Sequence, residues 1–246
     1  MRVRLDLAYR GTAFHGFAEN PGVPTVEGTL RRELERVLRH GVSIDVAGRT
    51  DKGVHASGQV VSFSTEADHF APDRLLSSLN KLCAPDIAVK RVSIVDPDFH
   101  ARFSATGRRY VYRILDGTTP DPLRSDLVWH ITDALDLEAM TAETAAVVGE
   151  HDFSAFCRPP KHDPQASLVR HVRLCAFSRT DDETCLEIEA NAFCHQMVRS
   201  LVGALVAVGR HRAAPGLIGA MLTAPDRARA PSPAPPQGLN LVEVAY

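Results

Sequence analysis

The sequence predicts an α+β protein of two ferredoxin-like (split βαβ) halves that share a mainly antiparallel sheet around a central cleft. Three observations lead there. Residues that alternate apolar and polar mark strands, and capped helical faces follow them in the order strand, helix, strand, strand, helix, strand. That order recurs once along the 246 residues, although the two runs share no visible sequence similarity. Between the runs, Asp96-Pro97-Asp98 breaks the pattern near 96–106, which divides the chain into halves 1–105 and 106–246.

Val3, Leu5, Leu7 and Tyr9 alternate with polar residues as one half-buried strand. Thr25 can cap a helix whose apolar face is Val26, Leu30, Leu34, Val37 and Leu38, and Gly41 is its expected stop. Strands are expected at 43–48 and 58–65, joined by a glycine-bearing loop. Pro72 opens a second helix carrying Leu75, Leu76, Leu79 and Leu82, and Ile87 to Val95 reads as a strand. In the second half, Arg108 to Leu115 is a strand and Leu137 to Val148 a helix ended by Gly149. Strands follow at 168–178 and 184–190 around a polar Asp181-Asp182-Glu183 turn. A strong helix covers 194–208 with Gly209 as its stop, a short one covers 215–223, and Leu239 to Tyr246 closes the chain as a strand. Pro120-Asp121-Pro122 is a loop, and Ala230 to Pro236 reads as an extended, polyproline-like surface linker.

Composition excludes several function classes. The chain is 44% hydrophobic and 24% charged, an ordinary globular profile. Its longest apolar run, Leu201 to Val208, falls far short of the roughly 18 residues a membrane span needs. No signal-peptide pattern precedes the first strand, so the expected compartment is the cytoplasm. Cys83, Cys157, Cys175, Cys185 and Cys194 form no C-x-x-C pair, and the eleven histidines have no metal-ligand spacing, so neither a metal nor a cofactor is expected. Net charge is −2, which gives no global sign of a nucleic-acid partner. Local clusters at Arg108-Arg109-Tyr110-Val111-Tyr112-Arg113, Arg170-His171-Val172-Arg173, and Arg199 with Arg210-His211-Arg212 fit either solvated faces or a basic cleft that follows a phosphate backbone.

The loop Gly48-Arg49-Thr50-Asp51-Lys52-Gly53-Val54-His55-Ala56 is the most specific feature. Held between two buried strands, it is stiff enough to aim a side chain, and its glycines permit a sharp turn and close approach of a ligand. Arg49 and His55 beside Asp51 favour a carboxylate, which suits a nucleophile or an electrostatic stabiliser better than a general acid. An Asp-containing turn paired with an Arg would look the same, so the residues alone leave both readings open.

GRTDKGVHASGQVVSF resembles the active-site signature of the tRNA pseudouridine synthase A family, in which the Asp is the catalytic nucleophile; here that is Asp51. The resemblance extends over nearly the whole chain. Leu7 to Phe17 is similar to the family's opening Y-D-G-T-x-F-x-G-W, with Arg10 and Phe17 departing from it. Phe99-His100-Ala101-Arg102-Phe103-Ser104-Ala105 and Arg109-Tyr110-Val111-Tyr112 resemble its second motif, whose first Tyr packs against the target uracil; here that is Tyr110. Gly149-Glu150-His151-Asp152-Phe153 matches G-x-H-D-F, and Gln237-Gly238-Leu239 matches the G-L before the last strand. Phe193 to Arg199 fits F-x-x-x-M-V-R, whose Arg pairs with the catalytic Asp; here that is Arg199. Lys52 stands where the family has Ala, Ala18 where it has Gln, and Asn240 where Tyr is common.

The resemblance implies isomerisation of uridine to pseudouridine in the anticodon stem-loop of tRNA, around positions 38–40. It also implies a homodimer with one tRNA running across both subunits. The uridine must leave its stack, at a cost on the order of a few kcal/mol. Asp51 would attack the sugar or the base or abstract a sugar proton, Tyr110 would hold the freed uracil, and Arg199 would keep Asp51 ionised and oriented. Arg49 would contact phosphate or fill the space left by the flipped base. Without the resemblance, Tyr110 and Tyr112 read as strand residues of which one is simple core. Arg199, on an apolar helix face with Met197, Leu201 and Leu205, needs a carboxylate partner in any case. Two rivals share the fold class. A tandem RNA-recognition protein needs a strand rich in exposed aromatics, and 58–65 offers only Phe63. A ligand-sensing ferredoxin-like protein would not need Asp51, Tyr110 and Arg199 together.

Overall fold

A computed structural model describes residues 1–67, 69–160, 163–180 and 182–246. The α+β expectation holds: among the described residues, five α-helices accompany ten strands whose pairing is mainly antiparallel. The chain forms two compact units, Met1–Thr106 with Asn240–Tyr246, and Gly107–Leu239. The last seven residues thus pack with the first unit. No helix among the described residues is long and apolar enough to cross a membrane.

The first unit runs β1 (Arg2–Tyr9), α1 (Val26–Leu38), β2 (Asp45–Val46), β3 (His55–Ser64), α2 (Pro72–Leu82) and β4 (Ile87–Val95), and β10 (Leu239–Ala245) returns to it. The order β4-β1-β3-β2 is that of a split βαβ fold. β1 pairs antiparallel with both β3 and β4, so Val3 faces Phe63, Leu5 faces Val61 and Leu7 faces Gln59. These residues and Tyr9 are at most 5% exposed and form one core row. Leu30 and Leu34 of α1 and Leu75 and Leu79 of α2 are buried with them. The Asn80 carboxamide ties α2 to β4, donating to the Val89 carbonyl at 2.9 Å and accepting from its amide at 2.8 Å. Thr25 caps α1 through the Gly28 amide as expected, but the helix stops at Leu38, where Arg39 turns left-handed before Gly41 is reached.

β2 is shorter than the 43–48 its sequence suggests because it shares an edge of β3. It pairs antiparallel with Val61 and Ser62, while β10 pairs parallel with His55 and Ala56. Gly58 makes that arrangement possible: a Cβ there would stand 2.1 Å from the Val242 carbonyl oxygen of β10.

The second unit contains β5 (Gly107–Asp116), β6 (Trp129–Ile131), α3 (Leu137–Thr144), β7 (Gly149–Asp152), β8 (Val169–Thr180), β9 (Glu183–Ala190), α4 (Met197–Gly209) and α5 (Leu217–Thr223). β9 lies between β5 and β8, β7 pairs with β8, and β6 runs parallel to β5. The 181–183 turn begins at Asp181, which lies outside the described residues, and β9 opens at Glu183. β6 and β7 were not separable from loops in the sequence, being three and four residues long. α3 ends at Thr144, four residues before its expected end, because 145–148 turn into β7 at Gly149 (φ 112°). α4 starts three residues later than the pattern suggests, since Gln196 is left-handed (φ 63°) and breaks the run. It is buried almost all round, as a helix at the centre of a core must be. Glu143 is buried at the start of α5, where its carboxylate accepts the amides of Gly216 and Ile218 and so neutralises the helix's positive end.

Gly58→Ala should force β10 off the edge of β3. A stability loss of about 3 kcal/mol, the upper end for overpacking, is the expected result, read as a lower urea midpoint.

Candidate active site

The Asp51 loop is fastened to the core of the first unit by its backbone. Gly53 takes φ 80° at the third position of a turn in which the Val54 amide donates to the Asp51 carbonyl at 3.1 Å. That is the place in a β-turn that glycine favours. Lys52, at the second position, is exposed and its ammonium lies 3.2 Å from His15 Nε2, so the change from the family's Ala leaves the turn alone. One residue back, the Thr50 carbonyl accepts the Phe17 amide at 3.0 Å.

The 9–17 segment underlies the loop. Gly11 passes so close that a Cβ would sit 2.0 Å from the Val54 oxygen, and its amide donates to His55 Nδ1 at 3.1 Å. A ring nitrogen that accepts an N–H carries no proton, so His55 is a neutral buried acceptor and not a cation beside Asp51. This corrects the electrostatic part assigned to it from the sequence. Gly16 (φ 103°) leaves room for the Thr50 carbonyl, 3.1 Å from where its Cβ would be. Phe17, in place of the family's Trp, still sets its ring against Tyr9, with centroids 6.1 Å apart.

Beneath Thr50 lies a closed polar group that sequence reasoning missed. The Tyr9 hydroxyl is 2.8 Å from Thr50 Oγ1, and Gln59 Nε2 donates to that hydroxyl at 3.2 Å and to the Gly48 carbonyl at 2.8 Å. Gln59 is wholly buried, and its remaining oxygen accepts the Val60 amide at 3.2 Å. A signal was present: Gln59 occupies the alternating position that Val61 and Phe63 occupy, so a polar side chain sits in an apolar row. Burial pushes the Tyr9 phenol up to about 12, with its hydrogen bonds to Thr50 and Gln59 pulling the other way.

Asp51 is half-buried and Arg49 is exposed, both in this loop. Tyr110 and Arg199 belong to the second unit. Tyr110 on β5 is 8% exposed and meets the edge of Phe193, with ring centroids 5.1 Å apart. Tyr112, two residues on, is the core member of the pair: it is fully buried and its hydroxyl donates to the Pro235 carbonyl at 2.7 Å. Burial drives its phenol far above the usual range, against the pull of the nearby Arg199 cation. Arg199 leaves the first turn of α4, and its Nε donates to the Ala234 carbonyl at 2.8 Å. The Ala234 amide donates back to the Arg199 carbonyl at 2.9 Å. The proline-rich stretch is therefore no surface linker. It runs along α4 so closely that a Cβ on Gly203 would stand 2.2 Å from the Ser232 oxygen, and Ala234 is buried.

The arginine clusters resolve differently. Arg109 of β5 pairs with Glu187 at 2.9 Å and Arg173 of β8 with Glu189 at 3.2 Å, both acids on the strand between them. Arg210 and Arg212 both reach Asp133. These cations form half-exposed charge ladders that fit the solvated-face reading of those clusters.

The sequence also matches known proteins. A family model described as tRNA pseudouridine synthase matches residues 7–104 and 144–246. The tRNA pseudouridine synthase A of Frankia casuarinae is 43% identical over 250 residues, covering 100% of this chain and 89% of that protein. Those of Corynebacterium glutamicum and Myxococcus xanthus are each 41% identical, again over 100% of this chain, and 89% and 92% of their own lengths.

The raised Tyr9 pKa fixes the sign of an alkaline effect. Its neutral form is favoured by folding, so this contribution is complete below pH 10 and is lost as pH rises through about 12. Urea midpoints should fall across that window, and fall less steeply for Tyr9→Phe than for the parent chain; equal slopes would contradict the assignment.

Proposed function

The chain belongs to the tRNA pseudouridine synthase family, and we propose that it isomerises uridine to pseudouridine in the anticodon stem-loop of tRNA, with Asp51 as the catalytic carboxylate. One observation carries the assignment of the site. The only carboxylate of the matching signature sits in a loop whose neighbouring backbone is fixed by buried side chains, as a group that must meet a flipped nucleotide requires.

The reaction breaks the bond from C1′ of the ribose to N1 of uracil and forms one from C1′ to C5. C5 loses a proton and N1 gains one, so substrate and product are isomers and no external reactant is consumed. Asp51 serves the cleavage step as a carboxylate. Tyr110, edge-on to Phe193, supplies the aromatic surface for the detached uracil, and its hydroxyl lies on the ring that faces the base during proton loss from C5. Arg199 is assigned as the cation that keeps Asp51 ionised, the role the family gives that arginine, and its anchored Nε supports a fixed guanidinium. Arg49, exposed beside Asp51, is assigned to phosphate or to the place vacated by the flipped base. A homodimer working on tRNA in the cytoplasm completes the reading.

Asp51→Asn should fold and bind tRNA normally yet release no tritium from tRNA labelled at uracil C5. Normal release by this variant would remove Asp51 from the mechanism. Tyr110→Phe should keep substrate affinity and lose rate, whereas Tyr110→Ala should lose both; identical kinetics would reduce Tyr110 to a packing residue.

A further inference from the structure

We infer that Tyr9 and Gln59 are positioning residues for the reaction, fixing the Asp51 loop from beneath through Thr50 and Gly48. The inference rests on Asp51 being the catalytic group and concerns how its place is set.

The hydrogen bookkeeping gives the group a direction. An amide nitrogen offers two protons, and Gln59 spends one on the Gly48 carbonyl and one on the Tyr9 oxygen. The same phenol group shares a further hydrogen bond with Thr50 Oγ1, 2.8 Å away. The two anchored residues, Gly48 and Thr50, bracket Arg49 and end one residue before Asp51. Three side chains from β1, the loop and β3 thus form one unit. The chain distance from Tyr9 to Thr50 is 41 residues, so no local turn could set this geometry.

The strand register explains why the anchor is stiff. Leu7 pairs with Gln59 and Tyr9 with Ala56, with a register shift between Leu7 and Tyr9 at the end of β1. A bulge of that kind re-aims a strand end next to a site. Tyr9 is 5% exposed and Gln59 fully buried, so neither has water available as a substitute partner. A phenol that holds its proton up to about pH 12 also keeps the chain of donors intact over any working pH.

The test uses the full chain with labelled tRNA. Tyr9→Phe keeps the ring against Phe17 and removes the hydroxyl. Turnover should fall on the order of tenfold to a hundredfold, as for a small misplacement of a reacting group, with KM for tRNA unchanged. Thr50→Val should reproduce that loss and Thr50→Ser should restore it, which also serves should Tyr9→Phe fail to fold. The Tyr9→Phe/Thr50→Val double variant should be no slower than either single one, because both remove the same link. Val61→Ala, a cavity in the same core row that removes no hydrogen-bonding group, should lower the melting temperature and leave kcat at the parent value. If Tyr9→Phe or Thr50→Val melts earlier yet turns over at the parent rate while Asp51→Asn is inactive, the positioning role alone is overturned. If Asp51→Asn is active, the catalytic reading falls and this inference falls with it.

Discussion

A polar side chain in an apolar core costs stability unless every hydrogen-bonding atom finds a partner, and Gln59 is the place where the first unit meets that condition. Its amide and carbonyl are all engaged, and one partner, the Tyr9 hydroxyl, is itself buried and engaged. The arrangement is all-or-none. Displacing the loop would leave the Gly48 carbonyl, the Thr50 hydroxyl and the Gln59 amide competing for partners inside the protein. The loop that carries Asp51 is thereby held to the sheet by the same free energy that holds the core together.

The second unit fixes its charged residue by a different device. A guanidinium cannot shed its charge, so burying part of one requires acceptors from the surroundings. Arg199 finds one in the Ala234 carbonyl, and Ala234 is brought there by a proline-rich stretch that needs few backbone donors of its own. Gly203 lets that stretch lie against α4, and the Tyr112 hydroxyl holds its far end through Pro235. Both units thus use a glycine to admit a second strand of chain and a buried tyrosine to fasten it.

Much of this was legible in the sequence, for identifiable reasons. Core rows such as Val3, Leu5, Leu7 and Tyr9 follow a period of two, and the Thr25 cap and Pro72 start are local chemistry, so those elements could be read directly. What escaped was decided by contacts far apart in the chain. β2 is cut short because β10, nearly two hundred residues later, takes part of the same edge. Ala230 to Pro236 looks like linker by composition, and only its fit along α4 gives it a role. In the Asp51 loop, His55 was read as a charge when the hydrogen bond that it accepts from the Gly11 amide makes it a neutral acceptor. The arginine clusters left two readings open for a related reason: sequence counts charges along the chain, while Glu187 and Glu189 meet Arg109 and Arg173 across strands.

These placements bear on what the protein must do. Isomerising a nucleoside in place requires that the base be freed, turned and recaptured before it diffuses away, so the groups that act on it cannot wander while the base moves. A carboxylate on a mobile loop would lose by motion what it gained by proximity, since orientation contributes only while it is held. Thr50 shows how the chain meets this demand: its carbonyl is taken by Phe17, its hydroxyl by Tyr9, and the next residue is the acid. The segment that leads to Asp51 is tied to two strands, to β1 through the Tyr9 hydroxyl and to β3 through the Gln59 amide.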